Sequence, residues 1–576
     1  MSTASAVLAA VAASTGLTAA ALAATYGGDG VSALEALLFV LILPLHAMLA
    51  AGFWFAVTGL VRSKSPPADG DARGPADGAD GFTTAIAIPV FHEDADDVFR
   101  RIRTMYEDLR HSGRLERFEF FVLSDSFRPE MCEAEERAWQ RVCGQVGGFG
   151  RIFYRRREDN SGKKAGNVAE FCRRFGGRYR YMIVLDADSL VRAHTMVELV
   201  RRMEADDRLG LLQTRPLEHE GRTLFARIRQ FANSFYGRLF TWGIATVQGD
   251  AAFYWGHNAI VRMEAFAESC GLPELSGRPP WGGAILSHDF VEAALLRRRG
   301  WKVRIDPDLD GSFEEGPPTL IDFAKRDRRW CQGNLQHARL LTIRGLHWIS
   351  RGSFVLGIMG YLSGPLWFLL LSATTAAALA GALPQRAPMA DLPVGGDVAV
   401  LALTGLFLFG PKLMALGDGL LDGRTRRQHG GGLSLTASVL AEIVVSALLA
   451  PLMMLLHTRF VAEVLSGCTV SWNPQRRDTD RVRWREALAA HGPEMLGALG
   501  VAAAVAVLAP QQFWWLMPVL AGLILAVPLG VCLGSADLGG RAARLGLFRV
   551  PHEPRAAAPT AKPGGLAAET APAGTE

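Results

Sequence analysis

The chain has 576 residues, too many for a single hydrophobic core, so at least two domains are expected. Hydrophobic residues make up 49% and the mean hydropathy is +0.15, which is more apolar than a typical soluble enzyme. The formal net charge of +4 argues against a nucleic acid partner. The seven cysteines include no C-x-x-C pair, which disfavours a disulfide framework or a zinc site and indicates reduced thiols in a cytosolic compartment.

Two apolar stretches open the chain, residues 6–25 and 34–61, and each is long enough to span a bilayer. The first could also be a signal peptide, but no Lys or Arg precedes its apolar run, so an uncleaved span is favoured. Arg62 and Lys64 follow the second stretch and predict that the chain continues in the cytoplasm. A linker rich in Pro, Gly, Ala and Asp covers residues 65–81.

Residues 82–345 hold most of the charge, and short apolar runs alternate there with helical patterns. This alternation predicts an α/β domain with a mostly parallel, doubly wound sheet. Strands are predicted at 84–90, 118–123, 151–155, 181–185, 211–223 (with a loop), 256–262 and 301–305, and helices at 96–111, 129–142, from 162 onward, 224–242, 289–299 and 323–344.

The C-terminal third, 346–535, is again apolar, with spans predicted at 354–382, 398–421, 494–509 and 512–534. Arg386 between the first two fits an external loop. Arginines on both sides of 434–464 indicate that both ends of that stretch are cytoplasmic, which predicts a re-entrant or interfacial helix pair broken near Pro451. The flanking arginines are Arg424, Arg426 and Arg427 before it and Arg476, Arg477, Arg481, Arg483 and Arg485 after it. The tail after Arg555 is predicted to be disordered.

A buried-strand pattern from Tyr181 to Leu185 ends in two carboxylates, Asp186 and Asp188. Ligands of open α/β sheets bind at the carboxyl ends of strands, and paired carboxylates suit a divalent cation that holds a diphosphate. A solvated turn with a helix cap is the alternative. Three further acidic residues, Glu93, Asp125 and Asp289, also follow or begin predicted elements.

Nucleotide-sugar chemistry needs such a set of acids. One acid orients the base and ribose, Asp188 holds the metal, and Asp289 takes a proton from the attacking hydroxyl. Asp289 could instead be a plain helix N-cap. Lys163 and Lys164 could contact phosphate, although a solvated pair is the default interpretation. His257 and His288 lack zinc-site spacing and are interpreted as site-lining or structural.

A second signal is the stretch from Arg326 to Asn334, in which Arg326 and Arg329 accompany Trp330 just before an apolar segment. Arginine offers a bidentate fork to a diphosphate, and an indole offers a flat face to a sugar. The alternative is a basic helix that binds lipid head groups.

The order of these motifs resembles the processive family-two glycosyltransferases, which include the cellulose, chitin and hyaluronan synthases. The resemblance implies a GT-A fold, although Ser287-His288-Asp289 stands for the family's Thr-Glu-Asp and Arg326 replaces its usual Gln. Residues 278–290 and 326–336 are most similar to the subfamily that makes osmoregulated periplasmic glucans, and the likeness covers roughly 30–535. Members of that subfamily often carry a long cytosolic N-terminal extension, so a regulatory role tied to it is not expected here.

The resemblance implies a UDP-glucose donor, a growing glucan acceptor, inversion at the anomeric carbon, a β-1,2 linkage and a divalent cation, Mg²⁺ or Mn²⁺. It also implies a multi-pass protein of the bacterial inner membrane with a cytoplasmic catalytic domain, lipid contacts and a periplasmic glucan-processing partner. The site residues it implies are Asp289 as the base, Glu93, Asp125, Lys164, Asp186, Asp188, Arg326 and Arg329 for the nucleotide sugar, Asp186 and Asp188 for the metal, and Trp330, His288 and Trp281 for the acceptor.

Two other functions stay open at this point. One is a processive synthase of a different polysaccharide. The other is a membrane transporter or receptor with a nucleotide-sensing domain. A sensor needs a nucleotide site, but it needs neither a base such as Asp289 nor an acceptor platform such as Arg329 with Trp330.

Overall fold

The computed structural model of the chain contains an α/β domain between two groups of long apolar helices. It describes residues 2–26, 32–64, 83–272, 274–381, 396–469 and 479–553. The predicted linker 65–81, the loop that holds Arg386, the pair Arg476 and Arg477, and the tail after Arg555 lie outside these residues.

Ten strands and eighteen α-helices are found in the described residues. The strands are β1 Thr84–Val90, β2 Phe118–Ser124, β3 Ile152–Arg156, β4 Tyr181–Val184, β5 Leu190–Val191, β6 Leu209–Gln213, β7 Leu217–His219, β8 Ala259–Arg262, β9 Lys302–Ile305 and β10 Ser312–Glu315. The helices are α1 Thr3–Tyr26, α2 Ala33–Arg62, α3 Ala95–His111, α4 Pro129–Val146, α5 Lys163–Phe175, α6 Ala193–Ala205, α7 Leu224–Gln248, α8 Met263–Ser269, α9 His288–Arg298, α10 Leu320–Gln336, α11 Trp348–Leu379, α12 Gly396–Leu421, α13 Gly423–Gln428, α14 Gly432–Leu465, α15 Trp484–Leu508, α16 Pro510–Ile524, α17 Ala526–Leu533 and α18 Ala536–Arg544.

Seven strands form the main sheet in the order β3-β2-β1-β4-β8-β6-β9. Strand β8 runs antiparallel to both of its neighbours, and all other pairs are parallel. Separate apolar clusters cover the two faces of this sheet, which explains why its central strands read as continuous hydrophobic runs. The predicted α/β fold with a mostly parallel sheet is therefore confirmed.

The strand register brings several chain segments to one edge of the main sheet. Val90 at the end of β1 lies beside Ser124 at the end of β2, and β4 ends three positions short of them, with Val184 beside Ala87. Strand β8 starts at the same level, with Ala259 beside Val184. The residues that follow β1, β2 and β4, and those that precede β8, therefore meet at this edge.

A smaller sheet and two helices of the α/β domain, α6 and α8, were not predicted from the sequence. Strands β5, β10 and β7 pair in that order, and α6 follows β5. These strands have two to four residues, which is too short to show a period of two. The small sheet borders the edge described above, because β5 begins two residues after Asp188.

Six helices are long and apolar enough to cross a membrane, and α16 with α17 makes a seventh candidate that bends by 48°. Apart from α14, which was not predicted to span, they agree with the predicted spans, except that α15 begins at Trp484 and not at residue 494. Length and apolar composition on both sides of the α/β domain fit a multi-pass membrane protein.

The expected helix pair at 434–464 is wrong, because α14 is one continuous helix that contains Pro451. Both of its ends are nevertheless linked to helices of the α/β stretch, the first through Phe548 and the second directly. Near its start, Ser438 Oγ accepts a hydrogen bond from Phe548 N–H at 2.9 Å, and the Phe548 ring packs 5.9 Å from Phe231 of α7. Near its end, His457 and Glu463 pair with α10, as described below.

We expect both ends of α14 to face the same side of the membrane. The native exposed Cys468 lies just past its C-terminus, and Gln428→Cys would place a thiol just before its N-terminus. Labelling by an impermeant maleimide would be measured in intact cells and in inverted vesicles for two variants. One is Cys532→Ser, which keeps Cys468, and the other is Gln428→Cys in a Cys468→Ser, Cys532→Ser background. Labelling of the two thiols from opposite sides would show that α14 crosses.

Candidate active site

Asp125, directly after β2, is a buried carboxylate held by two neighbours. Arg157 donates to both of its oxygens, with Nη2 at 2.9 Å from Oδ2, and Asn167 Nδ2 lies 2.8 Å from Oδ1. The same guanidinium donates to the carbonyls of Ser161 and Lys163 at 3.1 and 2.8 Å. Asp125 therefore orders the loop that leads into α5, and Arg157 is a site residue that the sequence analysis missed.

Lys164 connects two segments of the site. Its ammonium binds Asp186 Oδ1 and donates to the Gly256 carbonyl at 2.7 Å. Burial lowers the pKa of Lys164, but the carboxylates of Asp186 and Asp289 outweigh burial, so the pKa is raised and the ammonium stays charged. Lys163 is exposed, so the interpretation of both lysines as a solvated pair is wrong for Lys164.

Asp186 and Asp188 lie in a tight turn after β4. Asp186 N–H donates to Ser189 Oγ at 2.9 Å, and Ser189 N–H donates to the Asp186 carbonyl at 3.0 Å. The Asp186 side chain is 39% exposed, so the pair opens toward the edge of the sheet. Two carboxylates on one turn offer the hard oxygen ligands that Mg²⁺ and Mn²⁺ prefer.

Asp289 is the second residue of α9, and Ser287 takes the N-cap position, so Asp289 is not the cap of this helix. Gly256, at φ +94°, packs against the carboxylate so closely that a Cβ there would lie 2.5 Å from it. Asp289 Oδ1 accepts no hydrogen bond from the residues that the structure describes. The carboxylate is therefore confined: its side chain is 21% exposed, and its Oδ1 is buried with a lone pair that no described residue occupies.

His288 lies between two carboxylates. Its Nδ1 lies 3.0 Å from Glu292 Oε1, in hydrogen-bond geometry, and 3.1 Å from Asp289 Oδ1. Burial lowers the pKa of His288, but Asp289 and Glu292 outweigh burial and raise the pKa to about 9. Glu292 was missed, although the i, i+4 spacing from His288 on a predicted helix could have indicated it.

The loop before α9 is fastened to α10 by several contacts. Gln336 Oε1 accepts from Leu286 N–H at 3.0 Å, and Gln336 Nε2 donates to the Pro280 carbonyl at 3.0 Å. Burial lowers the pKa of His337 to about 4, so the ring is neutral, and its Nε2 lies 3.0 Å from the Ser287 carbonyl. The two strongest motifs of the sequence are therefore in direct contact.

Helix α10 turns two arginines toward the acidic edge. The Arg326 guanidinium stacks 4.4 Å from the ring centre of Trp330, which is 46% exposed. Burial lowers the pKa of Arg329, and the carboxylates of Glu93 and Asp186 partly offset it, so these three groups share one electrostatic neighbourhood. The predicted set Glu93, Asp186, Arg326, Arg329 and Trp330 is thus brought to one region.

Trp281 differs from that set. It is partly buried and packs against the apolar cluster that α7 and α10 share with the flanking helices, and its carbonyl accepts a hydrogen bond from Arg339 at 3.2 Å. Two further polar residues of α10 also bond to backbone carbonyls: Gln332 Nε2 to that of Pro280 at 3.5 Å and Asn334 Nδ2 to that of Trp330 at 2.9 Å.

A histidine–carboxylate pair beside Asp188 was also missed. His257 Nε2 lies 3.3 Å from Glu314 Oε2 of β10. Burial lowers the pKa of His257, but Asp186 and Glu314 raise it more, and burial raises the pKa of Glu314. The small sheet thus supplies an acid to the site through a strand that the sequence did not predict.

Polar contacts also tie α10 to the apolar helices. Asp327 accepts from Tyr361 Oη of α11 at 3.0 Å and lies 2.7 Å from His457 Nε2 of α14. Arg328 pairs with Glu463 of α14 at 2.6 Å. These partners explain how polar residues fit into the apolar stretch 434–464.

Comparison with known proteins gives matches along most of the chain. Residues 85–269 match the family described as Glycosyl transferase family 2, and residues 181–415 match Glycosyl transferase family group 2. Glucans biosynthesis glucosyltransferase H from Cupriavidus pinatubonensis is 44% identical over 548 residues, which are 91% of this chain and 62% of that protein. The protein of that name from Pseudomonas aeruginosa is 43% identical over 541 residues, 91% of this chain and 61% of that protein.

This chain therefore spans less than two thirds of the length of these relatives. The solved structure of mannosyl-3-phosphoglycerate synthase from Rubrobacter xylanophilus aligns with 50% of this chain and 83% of its own, at 16% identity and a TM-score of 0.30.

The contact between α10 and the loop before α9 can be tested by overpacking. A Cβ on Gly333 would lie 2.2 Å from Ser287 Oγ and 2.7 Å from its backbone nitrogen, so Gly333→Ala should destabilise the protein by about 1–3 kcal/mol. Gly360→Ala in α11 has nothing within 4 Å and is the matched control, which should leave the melting temperature unchanged or slightly raised. Thermal unfolding in detergent followed by tryptophan fluorescence measures both, and equal melting temperatures would contradict the contact.

Proposed function

We propose that the chain is a membrane-embedded inverting glucosyltransferase of the family 2 glycosyltransferases, the family that its motifs resemble and that its matches support. Its donor is UDP-glucose, and its product is the β-1,2-linked glucan backbone of osmoregulated periplasmic glucans. The relatives' name, glucans biosynthesis glucosyltransferase, supports the sugar and the class of product.

One observation carries this proposal. The Lys164 ammonium binds both Asp186, of the acid pair after β4, and the carbonyl of Gly256, the residue against which Asp289 packs. A group suited to a nucleotide diphosphate and a carboxylate suited to deprotonating an acceptor are thereby held side by side. A nucleotide sensor would not need the second carboxylate.

The donor half is formed by the ends of β1, β2 and β4. Asp125, with Arg157, orders the loop that carries Lys164 and would contact the base and ribose. Glu93 lies in the same electrostatic neighbourhood as Arg329. Arg326 and Arg329 would neutralise the diphosphate from the α10 side, because guanidinium forks match phosphate oxygens.

A divalent cation fits the donor half. Asp186 and Asp188 would hold Mg²⁺ or Mn²⁺, and their oxygen-only donor set suits either ion. When bound, the ion would supply positive charge to the diphosphate as it leaves.

Asp289 is the proposed base. The acceptor hydroxyl oxygen attacks the anomeric carbon of glucose, the bond from that carbon to the β-phosphate oxygen breaks, and UDP leaves on the opposite face. The hydroxyl proton passes to Asp289, whose Oδ1 accepts no hydrogen bond from the described residues. A positioned general base contributes about 10²–10⁴-fold to such a step.

The acceptor side is assigned to Trp330, His288 and Trp281. The exposed face of Trp330 suits stacking with a sugar ring, and Arg326 supports its other face. His288 is held by carboxylates, so its role is to set the charge beside the acceptor. Trp281 is partly buried and would contact the acceptor only at its exposed part.

The membrane arrangement follows from the apolar helices. The positive-inside rule supports a cytoplasmic catalytic domain. The motif resemblance supports the bacterial inner membrane as its location. The pairs that join α10 to α11 and α14 support passage of the growing glucan from Trp330 into the membrane helices and across the bilayer. A periplasmic glucan-processing partner stays a prediction of the resemblance.

Purified protein supplied with UDP-glucose and Mg²⁺ should release UDP and yield a β-1,2-linked glucan, identified by linkage analysis. A polymer with another sugar or linkage would favour the alternative synthase. UDP binding without any transfer would favour the sensor.

The two acid sites should separate binding from chemistry. Asp289→Asn should keep UDP affinity nearly unchanged and lose about 10²-fold or more of transfer, whereas Asp188→Asn should weaken both. Titration with UDP and a product assay measure these effects, and Asp207→Asn, whose side chain is 83% exposed, is the control. If Asp289→Asn turns over at the wild-type rate, or loses UDP as badly as Asp188→Asn does, Asp289 is not the base.

Removal of divalent cations should stop transfer by the wild type. EDTA should reproduce the loss seen in Asp188→Asn, and excess Mg²⁺ or Mn²⁺ should restore the wild type but not the variant. Full activity in EDTA would contradict a metal at Asp186 and Asp188.

A further inference from the structure

We propose that Glu292 is a positioning residue that acts through His288 to keep Asp289 available as a base. This inference rests on the proposed function, because it deepens the role given there to Asp289. Nothing in the comparisons or in the motif resemblance assigns a role to Glu292.

The two carboxylates beside His288, those of Glu292 and Asp289, differ in whether they accept its hydrogen bond. Glu292 lies one helical turn after His288 on α9, is 4% exposed, and takes the hydrogen bond of His288 Nδ1 at 3.0 Å. Asp289 Oδ1 is equally near the same nitrogen, at 3.1 Å, but accepts no hydrogen bond from it. An ionised carboxylate only accepts, so Nδ1 carries the proton and directs it to Glu292.

This arrangement gives Asp289 a cationic neighbour without consuming its lone pair. If Nδ1–H pointed at Asp289, the carboxylate would be a hydrogen-bonded and weaker acceptor for the substrate proton. Glu292 prevents this by satisfying the donor itself. A buried glutamate with no cation beside it would be costly, and His288 provides that cation.

The charge on His288 depends on Glu292. Burial alone would lower the pKa of the imidazole, and the carboxylates of Asp289 and Glu292 reverse this and raise the pKa to about 9. Burial raises the pKa of Glu292, and the imidazolium opposes that shift. Because the pKa of His288 is raised, the imidazolium is present at neutral pH and is lost as the pH rises through about 9.

Other titratable groups also face this cluster. They come from α5, the turn after β4, the segment before β8, α8 and the 3₁₀ turn after α10, and they are Lys164, Cys172, Asp186, Tyr254, Cys270 and His337. The pKa of Lys164 is raised, burial and nearby carboxylates raise that of Tyr254, burial raises those of Cys172 and Cys270, and His337 is neutral. Near pH 9, His288 is therefore the member of this cluster that should change charge.

The side chains of His288, Asp289 and Glu292 have ligand atoms within 4.8 Å of one another, a spacing that could hold a metal ion. The imidazolium already occupies the position between the two carboxylates. We therefore assign the cluster to proton chemistry and not to metal binding.

Glu292→Gln should lower kcat about 10- to 100-fold with little change in the KM for UDP-glucose. Because the variant lacks one of the two carboxylates that raise the pKa of His288, the alkaline limb of the kcat profile should move from near pH 9 to at least one pH unit lower. Glu292→Asp keeps the charge and should retain the limb near pH 9 with a smaller loss. Glu264→Gln on α8, an exposed glutamate, is the control and should match the wild type.

A double-mutant cycle with His288→Gln distinguishes positioning from a structural role. If Glu292 acts through His288, the double variant should be no slower than His288→Gln alone. Losses that multiply would overturn the inference, as would a wild-type pH profile in Glu292→Gln. If Glu292→Gln fails to fold, Glu292→Asp carries the test, and an alkaline limb that moves in this variant would count against the inference.

These outcomes are separate from a failure of the proposed function. Asp289→Asn with full activity would remove the base itself. Inactive Asp289→Asn together with an unchanged Glu292→Gln would leave the base in place and reject only the role of Glu292.

Discussion

The ammonium of Lys164 is the interaction on which the rest of the site depends. It is held by a carboxylate from the turn after β4 and by the carbonyl of Gly256, which itself packs against Asp289. A buried ammonium is stable only where carboxylates and carbonyl oxygens surround it, so this one group fixes the spacing of three chain segments. Asp125 and Arg157 support it from behind, because they order the loop from which α5 begins.

Helix α10 is the second constraint, and it links the site to the apolar helices. One side of it holds the loop before α9 through Gln336 and His337, and another pairs with α11 and α14 through Asp327 and Arg328. Trp330 and the base helix are therefore fixed to the same element. Under the proposed function, successive transfers would therefore take place with unchanged relative positions of the acceptor sugar, the base and the entrance to the membrane.

Several parts of this architecture could be read from residue patterns. The apolar run of β4 ending in Asp186 and Asp188 was predicted as a strand with an acid pair, and the alternation around it predicted the parallel sheet. Such strands are buried on both faces, so their composition is distinctive. The small sheet could not be read, because β5 has only two residues and its pairing with β10 joins positions far apart in the chain. Pro451 suggested a break in α14 that tertiary packing did not require, since prolines are tolerated in apolar helices whose neighbours compensate.

The sequence by itself determined the class of fold, the apolar helices and the residue types of the site, because periodicity, hydropathy and motif spacing are local properties. It did not determine which partners those residues take. Lys164 could be solvated or buried, Asp289 could be a helix cap, and the i, i+4 spacing of His288 and Glu292 did not show whether they pair. Only the tertiary structure decided these points, because ion pairs and hydrogen bonds among α5, β4, the Gly256 turn, α9 and α10 join residues that are distant along the chain. Their energies depend on burial and on distances of about 3 Å, which no local pattern encodes.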